Sequence, residues 1–137
     1  MEILDNIPVR IDLESMVKRM RLRSRNEGIE ENIRELIGLA RAVARPKAVF
    51  KISPVEKKNG DSLEIDGVRF TSRVLRVNLD EIDTVYPYVV TCGREVDEID
   101  IPPHEFMRFY LMDQIKEMLV HSSLSYLHDY LREKHAC

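Results

Sequence analysis

Cys92 is the residue of this chain best placed to do chemistry. It lies in Thr91-Cys92-Gly93-Arg94-Glu95-Val96-Asp97, where the apolar run Val85 to Val90 gives way to a polar, acid-led helix. The run reads as a mostly buried strand with Pro87 inside it, and Gly93 allows a sharp turn. A strand that ends there and enters a helix gathers free backbone N–H groups at one point, where folds tend to place ligands. A helix N-terminus also lowers a thiol pKa, and Arg94 would add to the effect, so Cys92 has the setting of a nucleophilic thiolate. A plainer role competes with it. Free cysteine is among the most buried residue types. No Cys-x-x-Cys is present, and no histidine lies near Cys92 in sequence. A packed strand end is the expectation for Cys92, with Gly93 and the amides after it as the part that faces a ligand or a partner.

Other constellations are weaker. His121, His128 and His135 recur every seventh residue and fall near one helix face. Seven residues rise by about 10.5 Å, whereas ligands sit about 2 Å from a metal, so neighbouring histidines cannot share one. Glu117 and His121 are four apart, but they make at most a pair of ligands. Lys18, Arg19, Arg21, Arg23 and Arg25 form a basic cluster that could take a phosphate. Asp12 and Glu14 open the same helix, which is the charge order a helix dipole favours without any ligand. His104, Glu105 and Arg108 follow Pro102-Pro103 at a helix start, where proline is a structural signal. His104 would then join the Gly93 turn in bordering one cleft. The expected ligand- or partner-facing set is Thr91, Cys92, Gly93, Arg94, Glu95 and His104. No catalytic or metal-binding set is expected.

The elements that must position these residues follow from period and punctuation. Met1 to Ile11 alternates loosely and suggests an edge strand broken by Pro8. Asp12 suits the N-cap of a helix from Leu13 to about Arg25, ended by Asn26-Glu27-Gly28. A second helix spans about Glu30 to Ala44, with Ile33, Leu36, Ile37 and Ala40 as its buried stripe and Pro46 as its stop. The period then becomes two: Ala48, Phe50 and Ile52 face one way along a strand to Glu56. Lys57-Lys58-Asn59-Gly60-Asp61 signals a hairpin, and Asp66-Gly67 a second tight turn or bulge. Thr71 or Ser72 can cap a short helix, and the strand Thr84 to Thr91 follows. From His104 to about Glu133 there is neither Gly nor Pro. Phe106, Phe109, Met112, Ile115, Leu119, Tyr126, Leu127 and Tyr130 make one helical stripe there, on a helix about 45 Å long. Such a helix bends, packs on a partner or continues into something further.

Composition bounds the class. The chain has 137 residues, the size of one domain, and is 44% hydrophobic and 33% charged, which is ordinary for a globular protein with a core. The expected fold class is α+β: a small antiparallel sheet with a hairpin, packed against several helices including a long C-terminal one. It is read as a single domain, with residues 1–28 as an N-terminal arm and helix and residues 29–137 as the core. Two cysteines, Cys92 and Cys137, make no disulfide framework, and no signal peptide is read, so a cytoplasmic location is expected. No apolar segment approaches the roughly 20 residues of a membrane helix. The net charge of −3, with both signs spread along the chain, argues against nucleic acid as a partner.

From about Met20 to Glu133 the order of features resembles the activation domain of cobalamin-dependent methionine synthase, and its small free-standing relatives more closely. The residues that carry the resemblance are Ala44-Arg45-Pro46-Lys47-Ala48-Val49-Phe50, the strand Lys51-Ile52-Ser53-Pro54-Val55, and the hairpin into Leu63-Glu64-Ile65-Asp66-Gly67-Val68. The helix entered at Ser72 and the long helix through Met112-Asp113-Gln114-Ile115 belong to the same set. Thr91-Cys92-Gly93 stands where relatives carry Thr-x-Gly. The resemblance implies a domain that binds S-adenosylmethionine and meets a partner-bound cobalamin on a methyltransferase domain or corrinoid protein. There it supports reductive methylation of cob(II)alamin, in the service of methionine biosynthesis, without catalytic side chains of its own.

One departure matters. The family's S-adenosylmethionine-binding segment follows the long helix and is rich in Arg, Pro, Gly and Tyr, but no Gly or Pro follows Pro103 here. The expectation divides between the N-terminal part of a longer protein and a shortened relative that does not bind the nucleoside in the usual way. No nucleoside contact is carried onto any residue. The alternative function is a non-enzymatic protein-interaction or dimerisation module, with a homodimer formed through the long C-terminal helix.

Overall fold

The computed structural model describes residues 1–20 and 27–135. The N-terminal strand is short: β1 is Glu2–Leu4, and Pro8 lies beyond it. Asp12 caps α1, Leu13–Met20, by accepting a hydrogen bond from the Ser15 N–H at 2.7 Å. That bond, made with the ionised carboxylate, holds the Asp12 pKa below its ordinary value. The rest of the expected first helix, with Arg21, Arg23 and Arg25, lies outside the described residues. α2 is Glu27–Val43, so Glu27 and Gly28 open the second helix where the sequence reading had them close the first. The apolar positions Ile33, Leu36, Ile37 and Ala40 form its buried stripe as expected.

The strand expected from Ala48 to Glu56 is two strands, β2 (Lys47–Phe50) and β3 (Ser53–Asn59). The burial phase explains the break. Ala48 and Phe50 are buried, then Ser53 and Val55 are, and Ile52 between them is exposed. A slip of one residue turns a strand's inner face outward. β4 (Ser62–Ile65) and β5 (Val68–Thr71) follow, joined through Asp66-Gly67, whose positive φ values of 53° and 80° make a tight two-residue turn rather than a bulge. Ser72 caps α3, Arg73–Asn78, with its hydroxyl accepting from the Leu75 N–H at 3.2 Å.

The run that reads as one buried strand also divides, into β6 (Thr84–Val85) and β7 (Tyr88–Thr91). Pro87 between them cannot donate to a ladder. β7 is not mostly buried: Tyr88, Val89 and Thr91 are exposed. A 3-10 helix, Arg94–Glu98, and the 30-residue helix α4, Phe106–His135, complete the chain.

The fold class is α+β. β5, β4, β3 and β6 form an antiparallel four-stranded sheet in that order, and β1, β2 and β7 form a second sheet with β2 in the middle. The chain divides into two compact units. One consists of Met1–Ile3 and Val49–Val89; the other is the rest of the chain, and the division passes through β1, β2 and β7. The first unit is the hairpin sheet with α3, and its buried side chains include Val55 and Leu63. The second is helical. Met16 of α1, Leu36 of α2 and Leu111, Ile115 and Leu119 of α4 meet in one fully buried cluster, with Val96 of the 3-10 helix among them. Among the described residues no helix is long and apolar enough to cross a membrane.

Candidate functional site: the Gly93 turn

Gly93 sits at φ 97° and ψ 144°, backbone that a residue with a Cβ rarely adopts. Its position is set by close approach to Arg45, in the link between α2 and β2. A Cβ on Gly93 would stand 2.8 Å from the Arg45 carbonyl oxygen and 2.9 Å from the Arg45 nitrogen. The Arg45 N–H donates to the Cys92 carbonyl at 3.2 Å. The Thr91 hydroxyl accepts from the Gly93 N–H at 3.1 Å, so that amide is already engaged. The turn is thus a lock between Arg45 and Thr91-Cys92-Gly93, built from backbone and one hydroxyl.

The helix after the turn differs from the expected one. It is a single 3-10 segment of five residues, too short to gather the dipole of a regular helix. Val96 holds it to the core, and the Lys116 ammonium of α4 pairs with Asp97 at 2.8 Å. The Gly93 amide is engaged and the helix is short, so a free-amide anion site at this helix start has little to rest on.

Cys92 is half-buried, and its Sγ lies 4.0 Å from the Gly93 carbonyl oxygen. Burial pushes its thiol pKa up, and the Asp97 and Glu95 carboxylates push the same way. Both influences work against a nucleophilic thiolate, and Cys92 packs partly against the helical core. In a Cys137→Ser background, Cys92 is expected to alkylate with iodoacetamide more slowly than a free thiol near pH 8. A rate above that of free cysteine would contradict the burial.

The remaining expected residues do not converge. Thr91 and Arg94 are exposed. Glu95 lines an open hollow of about 590 Å³ with Leu39, Val43, Arg45, Glu98 and Asp100. His104 is exposed in the turn before α4, where the Glu105 N–H donates to the Pro102 carbonyl at 2.9 Å. Among the described residues no hydrogen bond or ion pair joins His104 to the Gly93 turn, so the cleft expected between them is not formed by such contacts. Nor do three or more His, Cys, Asp or Glu side chains gather as a metal site among those residues. His121 stands 3.9 Å from a Glu117 oxygen that already receives Arg19 at 2.6 Å.

Two features escaped the sequence reading. Arg108 is a clamp between α2 and α4: its guanidinium reaches the Asn32 side chain at 2.8 Å and both Glu35 oxygens at 3.1 and 3.3 Å. No sequence spacing signals a pair more than seventy residues apart. The other is the start of α4, where Phe106 is 80% exposed and Met107, Phe109 and Tyr110 are each at least half exposed. Phe106 and Phe109 belong to the helical stripe read from the sequence, whose later members Met112, Ile115 and Leu119 are buried. Met107 and Tyr110 are apolar residues off that stripe, a sign in the sequence that this turn does not confine its apolar side chains to one face.

No known family model matches the chain, and no curated protein matches it. The fold and the Gly93 lock are therefore what any functional reading must be built from.

Proposed function

We propose that this chain is an accessory, non-catalytic domain of a corrinoid-dependent methyltransferase system, resembling the activation domain of cobalamin-dependent methionine synthase. One observation supports the reading. The stretches on which the resemblance rests, Ala44 to Phe50 and Thr91 to Asp97, meet in space at the Arg45–Cys92 hydrogen bond and the Gly93–Arg45 approach. The role is positional. The domain meets the cobalamin-bearing partner while an electron donor and S-adenosylmethionine supply the electron and the methyl group.

The test is a calorimetric titration with S-adenosylmethionine, together with the visible spectrum of cob(II)alamin on a candidate corrinoid protein. A chain carrying an Arg/Pro/Gly/Tyr-rich segment after the long helix is expected to bind the nucleoside and alter the spectrum. The chain of 137 residues is expected to bind it weakly or not at all. No heat and no spectral change with the extended chain would sink the proposal.

A second reading, a protein-interaction module without S-adenosylmethionine binding, is favoured by the exposed Phe106, Met107, Phe109 and Tyr110 at the start of α4. Exposed apolar clusters of this kind mark partner surfaces more often than isolated exposed residues do.

A further inference from the structure

The edges of the four-stranded sheet differ. β6 is two residues long and is followed closely by Pro87, and a short edge stopped by proline offers little ladder to another chain. β5, at the opposite edge, has neither Pro nor Lys, and all of its residues are exposed. It pairs with β4 through Ile65↔Val68, Glu64↔Arg69, Leu63↔Phe70 and Ser62↔Thr71. A two-residue turn makes the pair that flanks it hydrogen-bonded, and every second pair after it likewise. The Ser72 N–H, donating to the Asp61 carbonyl at 2.8 Å, keeps that alternation. Val68 and Phe70 therefore direct their backbone groups to β4, while Arg69 and Thr71 turn theirs to the open edge.

Side chains obey the same alternation. Residues directly opposite share a face of the sheet, so Val68 and Phe70 lie on the face of Ile65 and Leu63. Leu63 is buried, whereas Val68 is 57% and Phe70 42% exposed. The apolar face of the sheet is thus unfinished at the edge whose backbone is also unpaired. α3, entered directly after β5, exposes Val74 and Val77 as well.

We infer that the β5 edge pairs antiparallel with the β5 edge of a second copy of this chain, centred on Phe70. The strand's own chemistry fits this occupant and fixes its register. Hydrogen bonding requires the outward residues, Arg69 and Thr71, to face outward residues of the other strand. Setting Arg69 against its own copy places like charges directly opposite, which is destabilising. Setting Thr71 against its own copy carries Arg69 toward Arg73, which belongs to α3. The register that remains sets Arg69 against Thr71 of the second copy on both sides, so that every outward N–H and C=O finds a partner. It also sets Phe70 against Phe70 of the second copy at a non-hydrogen-bonded position, where side chains are closest and an aromatic pair adds most. A strand of Val-Arg-Phe-Thr is therefore complementary to itself in that register. The inference stands apart from the corrinoid reading, and it places self-association on β5 rather than on the long helix.

Sedimentation of the full chain over a range of concentrations is expected to show a monomer–dimer equilibrium. Phe70→Lys sets ammonium groups opposite at the centre and is expected to weaken the dimer at least about tenfold, with the circular dichroism unchanged. Thr71→Pro, which removes an outward N–H at an edge that tolerates proline, is expected to weaken it similarly. Phe106→Ser on α4 leaves it intact. With Cys92→Ser and Cys137→Ser as background and copper phenanthroline as oxidant, Phe70→Cys is expected to give a disulfide-linked dimer and Val68→Cys is not. A chain that stays monomeric throughout, or a dimer that neither Phe70→Lys nor Thr71→Pro weakens, overturns the proposal. So does a dimer that Phe106→Ser dissolves, since that assigns self-association to α4.

Discussion

Gly93→Ala is expected to destabilise the protein by about 2–6 kcal/mol, a large share of a typical total of about 5–15 kcal/mol. Two causes add. The backbone at φ 97° and ψ 144° lies in a region that only glycine occupies freely, and an alanine there costs about 1–3 kcal/mol. The new methyl would also stand 2.8 Å from one backbone atom of Arg45 and 2.9 Å from another. Backbone cannot rotate away as a side chain can, so the link between α2 and β2 must shift. That shift strains the Arg45–Cys92 hydrogen bond and adds about 1–3 kcal/mol more. Gly67→Ala is the matched control. Gly67 also has a positive φ, 80°, but a Cβ there meets nothing within 4 Å, so only the conformational strain of about 1–2 kcal/mol remains. Urea denaturation followed by circular dichroism separates the two variants. Equal losses would show that the Arg45 approach carries no weight.

The second large effect lies in α4. Ile115→Ala is expected to lower stability by about 2–5 kcal/mol, because Ile115 is fully buried in the helical unit's core and the truncation leaves a cavity that packed neighbours fill only in part. Phe106→Ala removes a larger side chain from the same helix, yet it is expected to change stability by no more than about 0.5 kcal/mol, since Phe106 is 80% exposed. The two residues share a helical stripe in the sequence. Denaturation midpoints that fall together for both variants would mean that the start of α4 is covered in solution.

This contrast shows where sequence reasoning stops. A helical stripe is a statement about direction around one axis, and it says nothing of where along that axis a neighbouring element ends. Leu111, Ile115 and Leu119 join the buried cluster with residues of α1 and α2, whereas the exposed turn from Phe106 to Tyr110 does not. The same limit applies to the strands. Val85 to Val90 reads as one buried strand by hydropathy, but its division at Pro87 puts β6 and β7 in different sheets and leaves β7 largely exposed.

The local chemistry of the chain, by contrast, was legible. The Asp12 and Ser72 caps, the Asp66-Gly67 turn and the α2 stripe each depend on residues within a few positions of one another, so their spacing carries the information. The sharp turn at Gly93 was legible for the same reason. What it is for was not. Only the tertiary structure brings Arg45 against it, shortens the following helix to a single 3-10 segment and buries Cys92 enough to raise its pKa. Local conformation is set by the residues that adopt it, whereas burial, close approach and the pKa of a thiol are set by atoms that arrive from elsewhere in the chain.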